Sequence, residues 1–264
     1  MADRSSPRRK PLDPLRRGYR RRLLRLVKPR DFKETYIGQA LATYPDPTYL
    51  EIGVREGESF RLASATRKIG IDPVALPEMK QLRPGEEFYE MTSDEFFSQR
   101  ASQVLGPASI HVALIDGLHE FRQVARDLLS LEPYMRPDGI VFFDDINPPT
   151  RDMASEAPPG AIDVRPGELW NGDVWKIGAL IARACPDLTL RTIDADYGVG
   201  VLSGFGAASS RDVQVAIEEC KALDYGELES SRRSLLELVA PMEFDAMLGA
   251  MRRARACAGA SRIE

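Results

Sequence analysis

IHVALIDGLHEFRQVARDLLSLEPYMRPDGIVFFDD, residues 110–145, reads as strand, helix, strand. The runs VALI and IVFF are apolar on both faces. Central parallel strands look like this when helices cover both sides of the sheet. Between the two runs, Phe121, Val124, Leu128 and Leu131 recur at helical spacing within 120–132, and PDG marks a turn before the second strand, 140–145. The first strand ends on Asp116 and the second on Asp144 and Asp145. A charge at the end of a buried segment is costly unless it is solvated, paired or bound. The stretch therefore raises two questions: what these acids meet, and why His119, one of two histidines in the chain, follows Asp116 by three residues.

The pattern continues outward in both directions. Upstream, residues 31–45 read as a helix with Asp31 as N-cap and Pro45 as stop. Then come a strand at 48–53, a helix at 58–67, strands at 68–72 and 87–91, and a short helix at 93–100 capped by Ser93. Downstream, residues 146–170 hold two Pro-Pro pairs, Gly160 and Gly167, and read as a long loop of the kind that often serves as a lid. A helix at 170–185 follows, then strands at 188–194 and 197–203 joined by a tight turn, hence antiparallel, and two or three helices over 211–258. No internal repeat is visible. Strands alternating with helices predict an α/β fold: a doubly wound, mostly parallel seven-stranded sheet with a closing antiparallel hairpin. The expected division is a basic extension at 1–30, a core at 31–205 and a helical appendage at 206–264.

Composition narrows the class. The 264 residues are 43% hydrophobic, ordinary for a globular protein. No apolar run approaches the ~18 residues that span a bilayer. The start MADRSSPRRK lacks the apolar core of a secretory signal. Cys185, Cys220 and Cys257 are odd in number and far apart, so they suggest neither a disulfide framework nor a metal-ligand spacing. A reducing cytoplasm is the simplest setting. The net charge of −4 conceals an asymmetry, because residues 1–30 carry twelve Lys/Arg and two Asp, about +10, leaving about −14 for the rest. That basic segment could meet nucleic acid, an anionic membrane or an acidic partner. It could equally dock on its own acidic domain or on a sister subunit.

In an open parallel sheet, ligands bind beyond the carboxyl ends of the strands, near the point where strand order reverses. Here those ends carry Glu51 and the loop Gly53-Val54-Arg55-Glu56-Gly57, then Asp72, then Thr92, Ser93 and Asp94, then Asp116 and His119, then Asp144 and Asp145. Gly53 and Gly57 permit a tight turn and close backbone approach before a helix. Their spacing is G-x-x-x-G, unlike the G-x-G-x-x-G of dinucleotide binders, which disfavours a nicotinamide dehydrogenase. An acid about twenty residues on, Asp72, suits the two hydroxyls of a ribose.

With these residues the chain resembles the class I S-adenosylmethionine-dependent methyltransferases. Within them it resembles the metal-dependent small-molecule O-methyltransferases of the catechol, caffeoyl-CoA and macrolide-sugar type, over roughly residues 46–205. The phrases that carry the resemblance are LEIGVREGES, GIDP, LIDGLHEFRQVARDL, GIVFFDDINP and NGDVWK. Arg55 and Glu56 depart from the smaller residues common in the glycine loop. The resemblance implies S-adenosyl-L-methionine as cofactor, held by Glu51, Gly53, Val54, Gly57, Ser59, Asp72, Ser93 and Asp116. It also implies Mg²⁺ on Asp116, Asp144 and Asp145, a hard cation on carboxylate oxygens. His119 falls where related enzymes place a basic residue, and an ordinary imidazole pKa of about 6.5 suits a general base. The expected reaction is methyl transfer to a hydroxyl of a sugar, a glycosylated natural product or a phenol.

Other readings of the same residues stand beside these. Asp144 and Asp145 could cap the next segment, Asp116 could contact cofactor without metal, and His119 could belong to the helix start. His111, early in a strand, reads as structural. Trp170, Asp173, Trp175 and Lys176 could line an acceptor pocket or form an amphipathic helix. INPPT, 146–150, is similar to the N-P-P-aromatic motif of base-directed amino-methyltransferases, but it follows the fifth strand rather than the fourth and ends in Thr150. A nucleic-acid methyltransferase anchored by the basic segment is thus the rival, disfavoured by the acidic remainder. A non-catalytic binding module of the same fold is the third reading. The apolar faces of SLLELVAPMEFDAMLGAM, 234–251, could cover the core or pair in a homo-oligomer.

Overall fold

The computed structural model describes residues 32–156, 170–206 and 213–260. Eight strands form one sheet: β1 (Thr48–Ile52), β2 (Arg67–Asp72), β3 (Glu86–Glu90), β4 (Ile110–Ile115), β5 (Met135–Phe143), β6 (Thr189–Ile193), β7 (Val199–Ser203) and β8 (Leu238–Val239). Their order is β3-β2-β1-β4-β5-β7-β6-β8. Strands β1 to β5 run parallel, whereas β7 lies antiparallel to both β5 and β6. The order reverses between β1 and β4, so the carboxyl ends of these two strands flank the switch point.

The central strands sort their residues alternately between two core clusters. Ala113, Ile115, Val141 and Phe143 join one cluster, while Val112, Leu114, Ile140 and Phe142 join the other. Every side chain of VALI and IVFF is therefore buried, as expected of strands covered on both faces. On the first side pack α5 (Phe121–Leu131), α6 (Lys176–Ala184) and α7 (Val213–Lys221). On the second lie α1 (Lys33–Leu41) and α9 (Phe244–Ala260), where the Phe244 ring meets Tyr36 edge-on at 5.0 Å. Short helices α2 (Glu58–Leu62), α3 (Ser93–Gln99) and α4 (Ala101–Val104), with α8 (Tyr225–Leu236), complete the α-helices of the described residues.

Several elements differ from the sequence expectation. The sheet has eight strands, because β8, a two-residue strand between α8 and α9, pairs parallel to β6. Two residues are too short for periodicity to reveal. The helix expected at 58–67 ends at Leu62, since Ala63 turns to extended backbone and Leu62 itself is exposed. The cap expected at Ser93 belongs to Thr92, whose hydroxyl accepts from the Glu95 N–H while the Glu95 carboxylate accepts from the Thr92 N–H. This reciprocal pair was present in the sequence as Thr-x-x-Glu. Strand β5 begins at Met135 rather than 140, and PDG lies within it opposite an irregularity between Ile110 and Val112. It ends at Phe143, so both following acids lie outside the strand. Helix α6 begins at Lys176, not 170, because Gly172 is left-handed. The N-cap of α1 is Phe32; Asp31, the basic extension 1–30, and most of the loop 146–170 lie outside the described residues.

Candidate active site

The glycine loop leaves β1 through Gly53, at φ +88°. A Cβ there would stand 2.1 Å from the carbonyl oxygen of Asp116, so only glycine lets the loop rest on the end of β4. Gly57, at φ +76°, is the N-cap of α2. Across the loop, Asp72 accepts from the backbone N–H of Arg55 at 2.9 Å and of Val74 at 2.8 Å. These bonds fix the carboxylate facing the loop, where oxygen lone pairs stay available to a ligand hydroxyl.

The other expected cofactor residues divide. Val54 is buried against Gly70 of β2, and the Ser59 hydroxyl donates to Glu34 at 3.2 Å. Ser93 is buried at the start of α3 and accepts from Gln123 Nε2 at 3.2 Å. Glu51 is buried with its carboxyl bonded by the Tyr49 hydroxyl at 2.7 Å. Burial pushes Glu51 up to about 8, with Asp116 adding to the rise and the Tyr49 hydrogen bond and Lys33 opposing it.

That shift makes stability depend on pH. The folded pKa of Glu51 lies above the unfolded value near 4.5, so its contribution is complete below pH 4.5 and is lost as pH rises through about 8. His119, raised to about 9, acts in the same direction from about 6.5 upward. Thermal melts are expected to show Tm falling between pH 5 and pH 8, and Glu51→Gln is expected to flatten much of that slope. An unchanged slope in the variant would refute the assignment.

The three acids and His119 converge at the ends of β4 and β5. His119 Nε2 lies 3.4 Å from Asp116 Oδ1, and its Nδ1 lies 3.3 Å from Asp145 Oδ2. His119 (φ +54°) and Asp145 (φ +60°) are both left-handed non-glycine residues, a costly conformation that the surroundings must enforce. The NGDVWK segment does so. Asn171 Nδ2 donates to Asp145 at 2.7 Å. Gly172 (φ +72°) packs on the His119 backbone. Asp173 accepts from the Phe121 N–H at 2.6 Å, holding the first turn of α5. Trp170 stacks on the His119 ring at 5.8 Å. Asp173, Trp175 and Lys176 are buried, with Lys176 Nζ 2.9 Å from Asp173, so these three support the site rather than line a pocket. His111 is structural, accepting from the Thr48 N–H at 3.1 Å.

A further member is absent from every motif. Lys33, the first residue of α1, is buried and places its Nζ 2.6 Å from Asp116 Oδ2, with an ion pair also to Asp144 Oδ2. An ammonium thus stands between two of the three carboxylates expected to take Mg²⁺, and among the described residues no group of acids, histidines and cysteines is arranged to hold a metal ion. The donor atoms have the right chemistry for a hard cation, but the place between Asp116 and Asp144 is filled by the chain itself, so the arrangement does not fit the ion. Two cations face three acids. Burial alone would lower the Lys33 pKa, but Asp116 and Asp144 hold it above its ordinary value. Asp116 is held low by Lys33 and His119 against its own burial. Burial and the neighbouring acids push Asp144 up, and burial raises Asp145 to about 6 against His119. His119, which burial would lower, is raised to about 9 by Asp116 first and then Asp145 and Asp144. Its pKa is therefore not the ordinary 6.5 expected from the sequence, and at neutral pH the ring is an imidazolium. Asp144 Oδ1 is buried and has no hydrogen-bond partner among the described residues.

Lys33 and Asn171 were the residues that sequence reasoning missed. Asn171 lay inside a quoted motif. Lys33 carried no signal, being one charge in an amphipathic helix.

A family model described as a methyltransferase domain matches residues 50–146, from β1 to just past Asp145. No curated protein matched. Among solved structures, a Corynebacterium glutamicum protein is 13% identical over 75% of this chain and 93% of its own, with a TM-score of 0.48. MycE, a methyltransferase of the mycinamycin pathway solved with Mg and S-adenosylhomocysteine, is 16% identical over 70% of this chain, with a TM-score of 0.44. This chain spans 54% of it. A Burkholderia thailandensis 1,6-didemethyltoxoflavin N1-methyltransferase is 16% identical over 75% of this chain and 91% of its own, with a TM-score of 0.37. These likenesses are distant. Among the described residues, no helix is long and apolar enough to cross a membrane.

Proposed function

We infer that this chain, which carries a methyltransferase domain over residues 50–146, transfers the methyl group of S-adenosyl-L-methionine to a hydroxyl of a small molecule, with a sugar, a glycosylated natural product or a phenol as acceptor class. The observation that carries the reading is the contact of Gly53 with the Asp116 backbone. It joins the cofactor loop directly to the strand end that bears Asp116 and His119.

The cofactor supplies a methyl group on a sulfonium centre, activated for in-line displacement. The residues do the rest. The Gly53–Gly57 loop would receive the cofactor by backbone contact, and Asp72 would accept from its ribose hydroxyls. Ser93, at the rim after β3, would lie among the residues that hold the cofactor. His119, whose ring lies between Asp116 and Asp145, takes the acceptor's hydroxyl proton as the new O–C bond forms and the S–C bond breaks. Because its pKa lies near 9, the share of His119 able to accept a proton grows with pH up to that value. Asn147, two residues past Asp145, helps line a cleft of about 360 Å³ with Pro149, Tyr225, Glu229 and Arg232, and this cleft is our candidate for the acceptor's distal part. Lys33 stands between Asp116 and Asp144, where Mg²⁺ would otherwise sit.

The test is a calorimetric titration with S-adenosylhomocysteine on wild type and Asp72→Ala. Micromolar binding that weakens about tenfold or more in the variant is expected, as for loss of charge-assisted hydrogen bonds to a ligand. Absence of binding to wild type would refute the reading and leave the fold as a non-catalytic module.

A further inference from the structure

We propose that Lys33 is the resident cation of the acid cluster: its ammonium takes the position between Asp116 and Asp144 that a divalent ion would otherwise occupy, so the site works without metal. Three observations support this. The residue is 7% exposed, and an ammonium at that burial is retained only when it is paired. Its partners come from two adjacent strand ends, 83 and 111 residues away in sequence, so α1 is docked where its first residue reaches both. The helix is held there by burial of Tyr36, Ile37, Ala40 and Leu41 and by the Ser59–Glu34 hydrogen bond, rather than by the ion pair alone.

The charge balance follows the same logic. Asp116, Asp144 and Asp145 bring three carboxyl groups within one cluster, and Lys33 and His119 bring two basic groups against them. Adding a divalent ion between Asp116 and Asp144 would require expelling the ammonium from a buried pocket or holding two cations in contact. Neither is favourable while Lys33 keeps its place. When an acceptor hydroxyl enters, the ammonium provides fixed positive charge beside the forming oxyanion, the task a metal performs by Lewis acidity. Lys33 is thus a positioning residue for the carboxylates and an electrostatic one for the acceptor. Its use in methyl transfer rests on the function proposed above, but its occupation of the cation position does not.

The experiment follows Mn²⁺ binding by electron paramagnetic resonance on the full chain, beside S-adenosylhomocysteine calorimetry on the same samples. Wild type is expected to bind no Mn²⁺ at the cluster up to millimolar concentration. Lys33→Met leaves Asp116 and Asp144 without the ammonium between them and is expected to gain Mn²⁺ affinity by about tenfold or more, with the gain lost again in Lys33→Met/Asp144→Asn. Stoichiometric Mn²⁺ binding by wild type that disappears in Asp144→Asn would overturn the proposal, because the ion would then displace the lysine. Binding that persists in Asp144→Asn lies elsewhere and supports it. If Lys33→Met does not fold, the wild-type and Asp144→Asn titrations decide alone. The two ideas fail separately: absent S-adenosylhomocysteine binding refutes the methyltransferase reading, whereas Mn²⁺ at Asp144 refutes the resident cation.

Discussion

His119→Ala is expected to lower kcat by about 10²–10⁴-fold, the usual weight of a general base, while S-adenosylhomocysteine binds within a few-fold of wild type. The ring lies between Asp116 and Asp145, 3.4 and 3.3 Å away, and both carboxylates favour its protonated form. Raised to about 9, the imidazole is mostly charged at neutral pH. For wild type, kcat/KM should therefore climb about tenfold per pH unit through neutrality and level off near pH 9. Asp116→Asn removes the largest upward influence on His119, so its inflection should move down toward the ordinary imidazole range. The profile separates a base from a merely structural histidine, since loss of packing alone would not move an inflection. A wild-type rate flat from pH 6 to pH 9 would sink the assignment.

Gly172→Ala is expected to be the most destabilising single substitution in the cluster, on the order of 3 kcal/mol or more. Two costs combine. The residue sits at φ +72°, where a side chain is strained, and its new Cβ would lie 1.7 Å from the carbonyl oxygen of His119. That oxygen is backbone, so relief requires moving the turn that carries His119. Activity should fall together with Tm, even though the methyl group touches neither cofactor nor acceptor. Gly38→Ala is the matched control: it lies inside α1 with nothing within 4 Å of the added carbon, and gaining a better helix former there should leave Tm unchanged or raised. A Gly172→Ala protein that melts like wild type would show that the NGDVWK segment does not hold His119 in place.

Much of the candidate site was legible because its residues sit at strand ends, and strand ends are visible in a sequence. Asp72, Asp116, Asp144 and Asp145 each follow an apolar run, and in a parallel sheet such ends share one rim. The Gly53–Gly57 loop was readable for the same reason. The elements that escaped were those whose cause is not periodic. Strand β8 has two residues and exists only because β6 offers an edge. The fold of 170–175 depends on Gly172 meeting His119, about fifty residues away in sequence. The Ser93 cap was misplaced by one residue although Thr92 and Glu95 formed a legible pair.

What the sequence determined by itself is the order of strands and helices, the burial of both sheet faces and the rim of acids, because alternation and helical spacing are local properties. What only the tertiary structure decided is the electrostatic state of that rim. Lys33 reaches Asp116 and Asp144 from 83 and 111 residues away. Charge interactions depend on distance and burial, and neither is written along the chain. The same three carboxylates that suggest a metal in the sequence hold an ammonium and an imidazolium in the folded protein.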